Sequence, residues 1–260
     1  MRDKVIVITG ASAGIGAKLA EEVTSRGAKG VVLAARRESE LSALASRLGD
    51  GALAVVTDVT RREANERLCA KAIERFGHID VFVANAGRGI SRPAAALSDD
   101  DIDAMMTINF KSVVYGVQAV LPHFRDRGRG HVIAVSSMLG RIPFAPIRSA
   151  YSAAKAAVNS LMTSLRLEVR PDFPDIHFTT VMPGVVATDF GNSALHGGPD
   201  SRDFPGAQPV AEVAQVIADV IAAPRAEIYT REGMREMVGR YYSADDVGEI
   251  EAGPPFVRPR

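Results

Sequence analysis

A tyrosine and a lysine four residues apart, Tyr151 and Lys155 in the run Ala150-Tyr151-Ser152-Ala153-Ala154-Lys155, are the residues of this sequence best suited to moving a proton. On a helix such a pair shares one face, so a phenol and an ammonium can address one point in space. A cation at that distance favours the ionised phenol, whose free pKa is about 10, and makes the pair a proton donor and acceptor near neutral pH. Ser136 and Ser137, a little upstream, can bring a hydroxyl to the same place. The plain alternative is a polar helix face: five tyrosines and six lysines give this spacing by chance in about one such sequence in ten. Lysine is also the minority base here, six of 31 basic residues, and its ammonium responds to its site in a way that arginine does not.

The elements that must position this pair read as strands alternating with helices. Lys4 to Thr9 is a short β-branched run, as in a strand buried on both faces, and it leads into Thr9-Gly10-Ala11-Ser12-Ala13-Gly14-Ile15-Gly16 and a helical pattern over 17–26. Strand, glycine turn and helix in that order set free helix N–H groups beside the turn, a site for phosphate. Gly10 suits the tight turn, Gly14 the approach of a pyrophosphate and Gly16 the approach of helix to strand; a turn that merely joins strand to helix is the alternative. Gly30 to Ala35 is a second strand, and no acid stands at its end. Arg36 there can clamp a 2′-phosphate, which predicts NADP over NAD; alternatively Arg36 and Arg37 solvate the start of a helix over 39–48.

Further strands are expected at Leu53 to Val56, Ile79 to Ala84, His131 to Ser136 and Phe178 to Met182, with a last one at Glu227 to Thr230. Asp58 and Val59 follow the third; Asp58 either faces a ligand or caps the helix Arg62 to Phe76, which Gly77 ends. Asn85, Ala86 and Gly87 follow the fourth, small enough for a ligand to lie against the backbone. A long helix is expected over Asp99 to Arg125, with Asn109 placed poorly for an amide unless it has partners. The Tyr151 helix is expected over Ala150 to Val169, and Pro183, Gly184, Val186 and Thr188 follow the sixth strand. The segment 191–209, rich in glycine, proline and polar residues, reads as mobile, and a helix is expected over 210–222. This predicts one α/β domain over 1–252, a doubly wound, mostly parallel sheet with helices on both faces, and an irregular tail over 253–260. The marked residues then collect at the carboxyl ends of the strands, where such sheets bind ligands.

Composition narrows the alternatives. With 31 basic and 31 acidic residues the net charge is zero, which argues against a nucleic-acid-binding surface and against attachment to anionic membranes. Cys69 is the only cysteine, so no internal disulfide forms, and the five histidines show no metal-ligand spacing. The first strand starts too early for a signal peptide and no apolar run is long enough to span a bilayer, so a cytoplasmic protein is expected.

Taken together, TGASAGIG at Thr9 to Gly16, Asp58, NAG at Asn85 to Gly87, Asn109, the serine strand, YSAAK and PGVVATDF resemble the short-chain dehydrogenase/reductase family, in its order and over nearly the full length. The resemblance implies a Rossmann-like fold, a nicotinamide cofactor, hydride transfer at a carbonyl or alcohol carbon, and a homodimer or homotetramer built partly through the Tyr151 helix. It implies Tyr151 as general acid in reduction and base in oxidation, and Lys155 as the group that lowers its pKa and holds the nicotinamide ribose. Ser137 would hold the substrate oxygen, and Asn109 a backbone kink and a relay water. Gly10, Ser12, Ile15 and Gly16 would surround the phosphates, Asp58 the adenine, Asn85 the ribose side, and Val186 and Thr188 the carboxamide. The family's serine stands thirteen residues before the tyrosine, here Met138; Ser137 is assigned because it lies three before Gly140, which implies one extra residue in the loop, with Ser136 the lesser candidate. A substrate with an apolar body is expected against Met138, Leu139, Ile142, Phe144 and the 191–209 segment. A cofactor-sensing protein without chemistry is the second reading, distinguished by the complete Asn109, Ser137, Tyr151 and Lys155 set; an enzyme of nucleotide-linked sugars is a third, disfavoured by the glycine spacing.

Overall fold

The computed structural model describes residues 1–256. Seven strands form one parallel sheet: β1 Val5–Thr9, β2 Gly30–Ala35, β3 Ala52–Val56, β4 Val81–Ala84, β5 Gly130–Val135, β6 Ile176–Met182 and β7 Glu227–Tyr229, in the spatial order β3-β2-β1-β4-β5-β6-β7. The order reverses between β1 and β4, which pair directly from Ile6↔Val81 to Ile8↔Val83. The two loops leaving that switch point diverge and open a crevice, and the glycine turn and the Asn85 turn both lie in it.

Two apolar layers clad the sheet, and strand alternation assigns each side. Ile6 and Ile8 of β1 face the layer completed by α1 (Gly14–Ser25), α2 (Glu38–Leu48) and α7 (Val210–Ala222). Val7 between them faces the other layer, with α3 (Arg62–Phe76), α5 (Ser112–Arg127) and α6 (Ser149–Val169). Burial on both faces explains why the central strands read as unbroken apolar runs.

The expected helix over Asp99 to Arg125 is continuous, but not one α-helix. It comprises α4 (Asp99–Met106), a π turn at Thr107–Lys111 centred on Asn109, and α5. Ser98 and Asp101 close a capping box at its start, and the acidic first turn suits the macrodipole. β4 begins at Val81 rather than Ile79 because the Ile79 N–H is given to His123 Nε2 at 3.0 Å and its carbonyl accepts from Arg127, which takes it out of the ladder. The loop ahead of α6 contains two short 3₁₀ turns, Met138–Gly140 and Pro146–Arg148. Two helices, α8 (Met234–Tyr242) and α9 (Val247–Glu251), follow the last strand where no helix was expected. Of the expected irregular tail, 253–256 are turns and 257–260 lie outside the described residues. Among the described residues no helix is long and apolar enough to cross a membrane, and no cluster could hold a metal ion.

Candidate active site

The glycine turn is shaped as a cradle. Gly10 and Gly14 have φ of +68° and +55°, which only glycine adopts freely, and a methyl at Gly10 would meet Ala86 Cα at 2.9 Å. A methyl at Gly16 would lie 2.5 Å from the Gly10 carbonyl oxygen, so that glycine is what lets α1 sit against the turn. The α1 N-cap, Ala13, offers no side-chain acceptor, and the first N–H groups of the helix, beginning with Gly14 and Ile15, carry no side-chain cap. Asn85 braces the turn from β4: its Nδ2 donates to the Thr9 carbonyl at 2.9 Å, while its own N–H and that of Ala86 donate to Thr9 Oγ1. These features fit a phosphate group, an acceptor for uncapped N–H groups that needs backbone without Cβ in its path.

At the end of β2, Arg36 is exposed and acts on Asp58 electrostatically. The Asp58 carboxyl is held below its ordinary range: burial opposes this, but hydrogen bonds from Thr60 N and Thr60 Oγ1, at 3.0 and 2.7 Å, outweigh it with help from Arg36 and Arg61. The alternative that Asp58 caps α3 is not realised, because Arg61 occupies the N-cap. Arg37, which the sequence offered only as a solvating group at the helix start, does more: its Nε and Nη2 donate to Ser12 Oγ at 3.2 and 3.1 Å, and Glu40 anchors its Nη1 at 3.2 Å. The side chain thus joins the β2 end to the glycine turn, and its place beside Arg36 was the available signal.

On α6, Tyr151 and Lys155 are both buried and face the end of β5. Lys155 Nζ donates to the Val135 carbonyl at 2.8 Å and lies 5.6 Å from the centre of the Tyr151 ring. Burial pushes the Tyr151 phenol up to about 12, opposed by the Ser137 hydroxyl and the Arg148 guanidinium; burial pulls Lys155 down to about 8. This differs from the expectation that Lys155 lowers the phenol's pKa. Within the protein alone, removal from water outweighs the Ser137 hydroxyl and the Arg148 guanidinium together. The serine register follows from the hydrogen bonds. Ser136 Oγ is spent on the Lys155 carbonyl at 3.2 Å, whereas Ser137 Oγ, accepting from Leu139 N at 3.1 Å, is the hydroxyl beside the phenol, although no well-aligned bond joins the two. Met138 is buried, and its N–H donates to the Pro183 carbonyl.

Asn109, on the π turn, is fully buried. Its Nδ2 donates to the Arg88 and Met105 carbonyls at 2.9 and 3.1 Å, and its Oδ1 accepts from Arg88 N at 3.1 Å. It clips the segment after β4 to the helix. A methyl at Gly87 would come within 2.8 Å of Asn109 Oδ1 and 3.5 Å of Lys155 Nζ, so the amide and the ammonium border one gap that only glycine leaves open.

The segment after β6 closes the crevice. Thr188 approaches Gly14, whose missing methyl would lie 3.4 Å from Thr188 Cγ2; Val186 is buried and bridges to Gln208, and Gly184 lies against Met234 of α8. A cavity of about 380 Å³ between α1 and this segment is lined by Gly14, Lys18, Thr188 and Arg202 among others. Phe190 packs edge-on against Tyr151 with ring centres 5.4 Å apart. Of the residues expected to meet substrate, Met138 and Ile142 belong to the core and Phe144 packs edge-on against Phe256, whereas Leu139 and Leu195 are partly exposed and pack against the Tyr151 cluster, as does Phe190, which was not among those expected. A larger cavity, about 820 Å³, lies at the opposite, amino ends of the strands. Of its basic residues, Lys29, His78, Arg127 and Arg129 stand at or just past the ends of α1, α3 and α5, where cations complement helix carbonyls, Arg2 and Lys4 precede β1, and none of the residues above reaches it.

The profile of the short chain dehydrogenase family matches residues 4–197. An uncharacterised oxidoreductase of Listeria monocytogenes is 40% identical over 192 residues, spanning 73% of this chain and 77% of that one. One of Staphylococcus saprophyticus is 38% identical over 195 residues, spanning 72% and 80%. Among solved structures, the alcohol dehydrogenase of the archaeon Thermococcus sibiricus complexed with 5-hydroxy-NADP is 29% identical, with a TM-score of 0.78 over 90% of this chain and 98% of that one. A short-chain dehydrogenase/reductase of Burkholderia phymatum in complex with NAD, 24% identical, shares the fold with a TM-score of 0.85 over 100% and 98%.

Proposed function

The chain belongs to the short-chain dehydrogenase/reductase family, an enzyme family of oxidoreductases, and we propose that it is an NADP-dependent member acting on a carbonyl or secondary alcohol, with Tyr151 as general acid and base. The observation that carries the reading is the convergence of Tyr151, Ser137 and Lys155, from α6 and the end of β5, beside a glycine cradle fit for phosphate. A bound nicotinamide dinucleotide would supply or accept the hydride. Gly10, Ser12, Gly14, Ile15 and Gly16 would hold its phosphates, Asp58 and Val59 its adenine side, Asn85 to Gly87 its ribose side, and Pro183, Gly184, Val186 and Thr188 its carboxamide side.

In reduction, the Tyr151 hydroxyl gives its proton to the substrate oxygen, which the Ser137 hydroxyl holds in place. A phenol pushed up to about 12 is protonated at neutral pH, the form that reduction needs. Lys155, pulled down to about 8, exists in both protonation forms near neutrality and stands behind the phenol as the next proton donor. Asn109 keeps Gly87 and Arg88 in place at that gap.

Arg36 and Arg37 support NADP over NAD, since two guanidinium groups stand where a 2′-phosphate would lie and no acid occupies the strand end. Leu139, Phe190 and Leu195 support a substrate with an apolar body. A cytoplasmic homodimer or homotetramer joined partly through α6 completes the reading, and Leu167, 73% exposed on that helix, is the position at which to test it. The test is a panel of ketones and alcohols followed by nicotinamide absorbance with both coenzymes, on the native enzyme and Tyr151→Phe. The variant should bind NADPH normally, by fluorescence, and turn over nothing; turnover at the native rate would refute the role of Tyr151.

A further inference from the structure

Arg148 is the N-cap of α6, three residues before Tyr151, and the two side chains lie close enough to act on each other electrostatically. Its guanidinium is about half-buried, and Nη1 donates to the Ile90 carbonyl at 2.8 Å. No carboxylate pairs with it among the described residues, whereas nearby Arg92 pairs with Asp101, Arg141 with Glu227, and Arg202 with Asp200. Gly89 shows where the group lies. A methyl there would be 2.7 Å from Arg148 Nη1 and 2.9 Å from the Phe190 ring, which itself packs on the ring of Tyr151. Guanidinium, Phe190 and phenol therefore line one wall. A cation half-removed from water without a counter-charge is costly to keep, and the group it faces is an acid that must ionise.

We propose that Arg148 is a positioning residue for proton transfer, a permanently charged guanidinium fixed beside Tyr151 that favours the ionised phenol through each cycle. The proposal rests on the reading of Tyr151 as the proton carrier. The other charged or titratable groups around the phenol do not duplicate the role. Lys155, on the same helix, loses its charge readily, because burial pulls it down to about 8. Asp101, on α4 packed against α6, is engaged by His196, Ser98 and Arg92. Arg88, past the end of β4, is exposed and donates to the Ser193 carbonyl; Asp189, in the segment that carries Phe190, is exposed and pairs with Arg202. Ser137, from the end of β5, is uncharged. Burial drives the phenol up, and Arg148 is the cation that opposes the shift.

The sign follows directly. Removing a positive charge beside a phenol raises its pKa, so the limb of kcat/KM for alcohol oxidation that rises with pH moves to higher pH. Arg148→Gln keeps an amide donor for the Ile90 carbonyl and deletes the charge; the limb should rise by about 1 pH unit while the plateau stays within a few-fold. Arg148→Lys keeps the charge and should leave the limb where it is. Arg148→Met, which deletes the charge and keeps the length of the side chain, should also move the limb upward and serves where Arg148→Gln does not fold. A limb unmoved in the glutamine variant, or equal losses in the glutamine and lysine variants with both limbs in place, would overturn the proposal. Tyr151→Phe in the same assay separates the two ideas: activity in that variant refutes the reading of Tyr151 itself, whatever the Arg148 variants do.

Discussion

Replacing Asn109 with alanine should destabilise the protein by about 3 kcal/mol, because the amide closes three hydrogen bonds in a place without exposure. The bonds run to Arg88 N, Arg88 O and Met105 O, at 3.1, 2.9 and 3.1 Å, and each such bond contributes about 1 kcal/mol net. Three kcal/mol is a change of about 150-fold in the unfolding equilibrium. Relaxation cannot recover it cheaply. A π turn holds one residue more than an α turn, so straightening it would rotate α5 by about 100° against α4 and turn Val113, Val117 and Phe124 out of the core. Urea denaturation is the assay, with the slope unchanged and the midpoint lowered. A loss below about 1 kcal/mol would refute the argument, since it would mean that water satisfies Arg88 as well as the amide does. Asn109→Asp separates hydrogen bonding from volume. It keeps the size and one acceptor but sets a carboxylate against two carbonyls, so it should be no more stable than the alanine variant at neutral pH and should recover part of the loss in acid, where a protonated carboxyl can donate.

Two further outcomes follow from exposed groups. Arg36→Asp and Arg37→Ala should each raise the KM for NADPH about tenfold or more and leave that for NADH nearly unchanged, as loss of a charge-assisted phosphate contact requires; equal effects on both coenzymes in steady-state kinetics would remove the arginines from coenzyme choice. Leu167→Glu should shift the protein to a smaller species in sedimentation velocity if α6 forms an interface, and an unchanged sedimentation coefficient would exclude Leu167 from any interface.

The fold was legible because its strands are buried on both faces. Val5–Thr9, Gly30–Ala35 and Ile176–Met182 contain almost nothing but apolar and β-branched residues, and the glycine spacing after the first strand ties local sequence to a turn with two positive φ values. What stayed hidden lacks such a pattern. The π turn depends on bonds from Asn109 to a segment twenty-one residues earlier, which no helical periodicity records. α8 is the exception: Met234, Met237, Val238 and Tyr241 stand at helical spacing, a stripe the sequence did offer although the helix buries none of them fully, whereas α9, five residues long, is too short for a periodicity to mark. Arg37 was in view as a neighbour of Arg36, but only the structure shows it donating to Ser12.

The site was legible as types and spacings, not as electrostatics. A tyrosine and a lysine four residues apart suggest that the cation lowers the phenol's pKa, and the two groups do lie close, 5.6 Å from ammonium to ring centre. Spacing says nothing about burial, however, and both side chains lie out of water, where the neutral forms of an acid and a base gain together: the phenol rises towards 12 as the ammonium falls towards 8. A pair so placed is least able to support charge on the tyrosine at the pH where the lysine deprotonates. The cation best able to hold its charge through that interval is a guanidinium, and Arg148 is the one beside the phenol that has no carboxylate partner among the described residues. The pH limb of the Arg148 variants therefore tests more than one residue: it asks whether a buried Tyr-x-x-x-Lys pair in this chain depends on a third charge that the four-residue spacing does not reveal.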